Sequence, residues 1–119
     1  MHELAIAESI VRIACAHAAE RRVTKVELKV GHLRQVVPDA LTFAFALVAE
    51  GTAAEGAELA IEEIPATGRC RGCGATTVLA GFPLQCQRCE GLDLELIAGE
   101  ELLVDALELE EAVMTKEGT

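Results

Sequence analysis

CRGCGATTVLAGFPLQCQRC, residues 70–89, carries two C-x-x-C pairs, Cys70 with Cys73 and Cys86 with Cys89. That is the spacing of a tetrahedral four-thiolate metal site. Each pair bends the backbone until two sulfurs point to one centre, and the segment from Gly74 to Gln85 is expected to double back as a small hairpin, setting the second pair opposite the first. With four thiolates in place, a bound ion keeps no position for an activated water. The expected role is a structural zinc site that folds its own subdomain. Iron in a rubredoxin-like centre is the alternative, and it would colour the protein red.

Upstream of the cysteines the periodicity changes twice. From Glu3 to about Arg22 the chain is rich in Ala, Leu, Ile and Glu, with Leu4, Ala7, Val11, Ala14 and Ala18 at helical spacing, which predicts an amphipathic helix. Val26, Leu28 and Val30 then alternate with Lys25, Glu27 and Lys29, the period of a strand with one buried face. Pro38 suits the first turn of a second helix, Leu41, Phe45 and Val48 form its apolar stripe, and Gly51 is placed to stop it after Glu50. A second strand is expected at Glu58–Ile64, parallel to the first because a helical crossover joins them. A third follows the cysteine region at Glu101–Leu109, before a polar end.

The expected fold is α+β: a three-stranded mixed sheet with two helices on one face, plus an inserted four-cysteine zinc-ribbon module. Residues 1–65 and 99–119 form the main domain, and residues 66–98 form the zinc-binding domain.

The formal charge of −10 over 119 residues is unevenly spread, with 3 basic and 3 acidic residues in 66–99 but 1 and 7 in 100–119. Tyr and Trp are absent. A cysteine ribbon that gripped nucleic acid would need a basic stripe and aromatic platforms, so nucleic acid is not an expected partner. No run approaches the roughly 20 apolar residues of a membrane span, so no membrane insertion is expected. The start MHELAIAESIVRIACAHAAE breaks its apolar residues with acids and an arginine, unlike a secretory segment. A reducing cytoplasm, with cysteines on metal instead of in disulfides, is the expected setting.

His2 opens a second metal signal. A histidine at position two offers the terminal amine, the intervening backbone nitrogen and imidazole Nδ1 in consecutive chelate rings, a planar nitrogen array suited to Ni(II) or Cu(II). Glu3 has a plainer duty available, since a carboxylate in a first helical turn favours the dipole. Cys15, in the first helix, reads as a packed side chain. His17 and His32 have no partner histidine at coordinating spacing.

Taken together, MHELAIAESI, KVGHL, PDALTFAFALVAEGTAAEGAELAIE and the paired cysteines resemble the hydrogenase nickel-incorporation metallochaperones of the HypA/HybF family, over nearly the whole chain. The resemblance implies a nickel site at His2 with Glu3 adjoining it, and structural zinc at Cys70, Cys73, Cys86 and Cys89. It implies a non-catalytic carrier of Ni(II) that delivers its ion to the [NiFe]-hydrogenase large-subunit precursor, working with a HypB-type GTPase. A homodimer is compatible with it. Some members add a histidine from the zinc region to the nickel sphere, but residues 66–99 contain none, which leaves the fourth nickel ligand open.

Two other classes compete at this point. A zinc-ribbon adaptor would bind no nickel at His2, and an iron protein would transfer electrons. An enzyme is not expected, because no Ser/His/Asp or Cys/His grouping stands out and Glu62 and Glu63 point to opposite faces of one strand.

Overall fold

A computed structural model describes residues 2–79 and 84–110 of the chain. Two helices, α1 (His2–His17) and α2 (Pro38–Ala49), accompany six strands: β1 (Val23–Gly31), β2 (Glu58–Ile64), β3 (Thr67–Cys70), β4 (Thr76–Val78), β5 (Leu94–Ala98) and β6 (Leu102–Leu109). The strands form two three-stranded sheets, ordered β2-β1-β6 and β4-β3-β5. By proximity the chain divides into two compact units. One comprises the chain up to Leu28, Val36–Ile61 and the residues from Val104 on; the other comprises Lys29–Gln35 and Glu62–Leu103.

In the first unit α1 packs against α2. The buried stripe of α1 is Glu3, Ala7, Ile10, Val11 and Ala14, i, i+4, i+7, i+8 and i+11 on one helical face. This differs from the sequence reading at two places: Leu4 is 50% exposed and Ile10, at 3%, takes the core position. Glu3 sits on the buried stripe because its carboxylate has a backbone partner there. The helix also stops at His17, five residues before Arg22. Ala19 and Glu20 have φ of +54° and +69°, which turns the chain out of the helix. The His17 ring meets the Ile13 carbonyl, Nδ1 to O 2.9 Å, and so adds a side-chain contact to the last turn.

Pro38 begins α2 directly after Val37, whose carbonyl accepts the Leu41 N–H at 3.0 Å. Leu41, Ala44, Phe45 and Ala49 are its buried face, and Gly51 takes φ +78° just beyond its end. The expected stop is therefore where the glycine stands. Strand β1 buries Val26, Leu28 and Val30, as its alternation required, and also Val23 at its start, which lies outside that alternation.

The first sheet is mixed. Strand β6 runs antiparallel to β1: in the first unit the Glu110 N–H donates to Arg22 O (2.8 Å) and the Thr24 hydroxyl to Glu108 O (3.0 Å). In the second unit the Gly31 N–H donates to Glu101 O (2.7 Å) and the Leu33 N–H to Gly99 O (2.8 Å). Strand β2 follows β1 through the α2 crossover.

A second sheet within the cysteine region was not expected. The hairpin lies earlier than predicted: β3 pairs antiparallel with β4, Thr67 opposite Val78 and Arg69 opposite Thr76, so the first cysteine pair forms its connection. Strand β5 flanks the other side of β3, with Cys70 opposite Leu94. Four- and three-residue strands are too short to display an alternating pattern.

Three backbone segments nest in this unit. A Cβ on Gly31 would lie 2.1 Å from the Gly99 carbonyl carbon, and one on Gly99 would lie 2.6 Å from Ala66 Cα. Only hydrogen at both positions permits that approach.

Candidate metal centres

The two cysteine pairs adopt one local design. The Cys70 N–H donates to Ala75 O (2.9 Å) and the Gly74 N–H to Cys70 O (2.8 Å); likewise the Cys86 N–H donates to Gly91 O (2.9 Å) and the Glu90 N–H to Cys86 O (2.9 Å). The residue after each pair has positive φ, +80° at Gly74 and +64° at Glu90. Each turn thereby buries its first cysteine and exposes its second: Cys70 and Cys86 are buried, Cys73 and Cys89 exposed.

The four Sγ atoms lie within 4.8 Å of one another. Cys70 to Cys89 is 3.5 Å and Cys73 to Cys86 is 3.6 Å. Metal–sulfur bonds of about 2.3 Å in a tetrahedron require sulfur–sulfur edges near 3.8 Å, so the cluster fits a tetrahedral ion such as zinc. Among the described residues it is the one group of three or more potential metal ligands. The backbone favours thiolate at the buried positions. The N–H groups of Cys89 (3.5 Å) and Arg88 (3.4 Å) donate to Cys86 Sγ and bring its pKa down to about 6. The Cys73 N–H lowers that of Cys70 in the same way. At Cys89 the Gly91 N–H also favours thiolate, but crowding by the Cys70 and Cys73 sulfurs outweighs it and raises the pKa to about 11. A cation at the centre removes that mutual repulsion.

Arg71, inside the first turn, ties it to the start of β5: its guanidinium meets Asp93 Oδ1 at 2.7 Å and its N–H donates to Asp93 O at 2.9 Å. Sequence reading missed this brace. The two residues lie 22 positions apart with no local pattern to link them.

At the other candidate site, His2 is exposed and its Nε2 lies 3.6 Å from Glu3 Oε2. That same oxygen accepts the Val37 N–H at 3.1 Å. This bond, with the Glu3 backbone N–H second, holds the carboxyl below its usual pKa. Glu3 therefore joins the first turn of α1 to the start of α2, a duty invisible in the sequence. Of the remaining candidates, Cys15 is half-buried in α1, and His32 Nδ1 meets Glu63 Oε2 at 3.3 Å in the second unit.

The fold and the thiolate cluster define a metal-binding α+β protein with a sheet-borne four-cysteine centre. Comparison with known families narrows this: the profile described as "Hydrogenase/urease nickel incorporation, metallochaperone, hypA" matches residues 1–109, and the chain belongs to this HypA family of metallochaperones. It is 44% identical to the hydrogenase maturation factor HypA of Geotalea uraniireducens over 110 residues, 92% of this chain and 100% of that protein. It is 43% identical to the HypA of Nostoc punctiforme over 111 residues, covering 93% and 97%. The solution structure of the nickel metallochaperone HypA from Helicobacter pylori shares the fold, with TM-score 0.65 at 18% identity over 90% of this chain and 96% of that one. Among the described residues no helix is long and apolar enough to cross a membrane.

Proposed function

We propose that this chain is a cytoplasmic, non-catalytic nickel carrier that takes Ni(II) at its amino-terminal His2 and delivers it to the [NiFe]-hydrogenase large-subunit precursor. The imidazole and the adjoining terminal nitrogens are the donors. Glu3 adjoins the ion and positions the terminus through Val37. Zinc occupies Cys70, Cys73, Cys86 and Cys89 as a permanent structural ion. Residues 1–65 with 99–119 form the nickel-binding domain and residues 66–98 the zinc-binding domain. A HypB-type GTPase supplies nickel or assists its release, and a homodimer is compatible with the reading.

The observation that carries the reading is the division of labour between donor sets. The thiolate cluster is complete and partly buried, suited to holding an ion, whereas His2 is exposed, with a carboxylate oxygen 3.6 Å away, suited to exchanging one. Protons compete with nickel for imidazole and amine, so mild acid releases it.

The test is calorimetric titration of Ni(II) into zinc-loaded protein with its native terminus, beside His2→Ala and a form extended before Met1. One nickel per native chain, lost in both variants, supports the site. Equal binding in all three would place nickel on the cysteines or the acidic end and favour the zinc-ribbon adaptor.

A further inference from the structure

The outer face of α2 is not that of a solvated helix. Ala40, Phe43, Ala46 and Leu47 are all exposed, and at a helical turn of 100° per residue they form one continuous face opposite Leu41 and Phe45. Phe43, one of only three aromatic residues in the chain, is 68% exposed, and Leu47 one turn on is 50% exposed. The stripe ends in carboxylates: Asp39 precedes it and Glu50 follows it on the same side of the helix, both exposed. Among the described residues neither carboxylate has a cationic partner.

Charge decides what can cover this face. A second copy is disfavoured, because two such faces packed about a twofold axis bring carboxylate against carboxylate at both ends, whether the helices run parallel or antiparallel. A lipid surface is disfavoured by the same acids and by a net charge of −10. An apolar stripe with a cation at each end satisfies both features. We propose that the Asp39–Glu50 face of α2 is a docking surface for an amphipathic helix of a partner protein, whose apolar stripe ends in Lys or Arg about three turns apart. This spacing matches Asp39 and Glu50, roughly 16 Å along the axis, and the contact is of the amphipathic-helix type. The docking surface is independent of the nickel reading.

The test uses the zinc-loaded full chain, isotope-labelled, titrated with a synthetic amphipathic peptide carrying a Leu stripe and a Lys or Arg at each end, and with the same peptide ending in Glu. The basic-ended peptide is expected to shift α2 resonances and to bind at least about tenfold tighter than the acidic-ended one. The double variant Phe43→Gln, Leu47→Gln, whose helix content and zinc stoichiometry are verified first, is expected to lose at least about tenfold in affinity. Asp39→Asn with Glu50→Gln should abolish the preference between peptides while keeping the fold. Equal binding of both peptides by the unaltered chain, or unchanged affinity in the glutamine variant, overturns the proposal. So does concentration-dependent dimerisation that the glutamine variant removes, since the occupant would then be a second copy.

Discussion

Gly31→Ala isolates the cost of prying apart two nested strands. Gly31 has φ −71° and ψ 143°, which alanine adopts freely, so the cost is steric. The new Cβ would stand 2.1 Å from the carbonyl carbon and oxygen of Gly99 and 2.4 Å from Glu100 N. All three are backbone atoms and cannot rotate away. Reaching an ordinary contact of about 3.5 Å requires a retreat of roughly 1.4 Å. The retreat strains the bonds from Gly31 N–H to Glu101 O and from Leu33 N–H to Gly99 O, now 2.7 and 2.8 Å. Overpacking costs about 1–3 kcal/mol, and two weakened hydrogen bonds add about 1–3 kcal/mol. The expected loss is about 2–6 kcal/mol, a fall in Tm of roughly 8–24 °C for a chain of this size. Urea unfolding of zinc-loaded protein measures it. Gly51→Ala is the control: it has φ +78° with nothing within 4 Å of the added Cβ, so only the left-handed backbone is penalised, by about 1 kcal/mol. If Gly31→Ala lost less than about 0.5 kcal/mol, or less than the control, the inferred strand contact would be wrong.

Other outcomes follow from the same geometry. Glu90→Gly should stabilise the protein by about 0.5–1 kcal/mol, since it relieves a left-handed glutamate at the position where the twin turn already has Gly74; a higher Tm checks it. Cys73→Ala leaves three thiolates and should release zinc and unfold β3–β5, seen as loss of dispersed amide signals from 67–98; retained dispersion would show the sheet folds without metal. For Glu3, a folded pKa held below the ordinary glutamate value by the Val37 N–H means that its ionised form contributes stability above that ordinary value and loses the contribution as pH falls through the folded value. In nickel-free protein, Glu3→Gln should therefore be less stable than the parent at pH 7, with the gap closing in acid; a constant gap from pH 7 to pH 2 would argue against the Val37 contact.

Legibility in the sequence followed the range of the interactions. The cysteine cluster was readable because C-x-x-C is a local device: a turn of a few residues aims two sulfurs, and the second pair repeats it. Strand β1 and helix α2 were readable for a related reason, since Val26-Leu28-Val30 and Pro38 to Gly51 place period and punctuation within one segment. Leu4 was misassigned because a helical stripe admits neighbouring choices of face. What selected among them was the Val37 N–H, 34 positions away, which drew Glu3 inward. Similarly, the β4-β3-β5 sheet depends on pairing Cys70 with Leu94, far apart in the chain and in strands too short to reveal a period.

From the sequence by itself came the α+β class, the four-thiolate centre and the resemblance to nickel metallochaperones, because all three rest on residue types at short spacing. Only the tertiary structure decided the second sheet, the Arg71–Asp93 brace, the role of Glu3 between the helices and the exposed face of α2. Each depends on which distant backbone groups meet, and on which surfaces they leave uncovered.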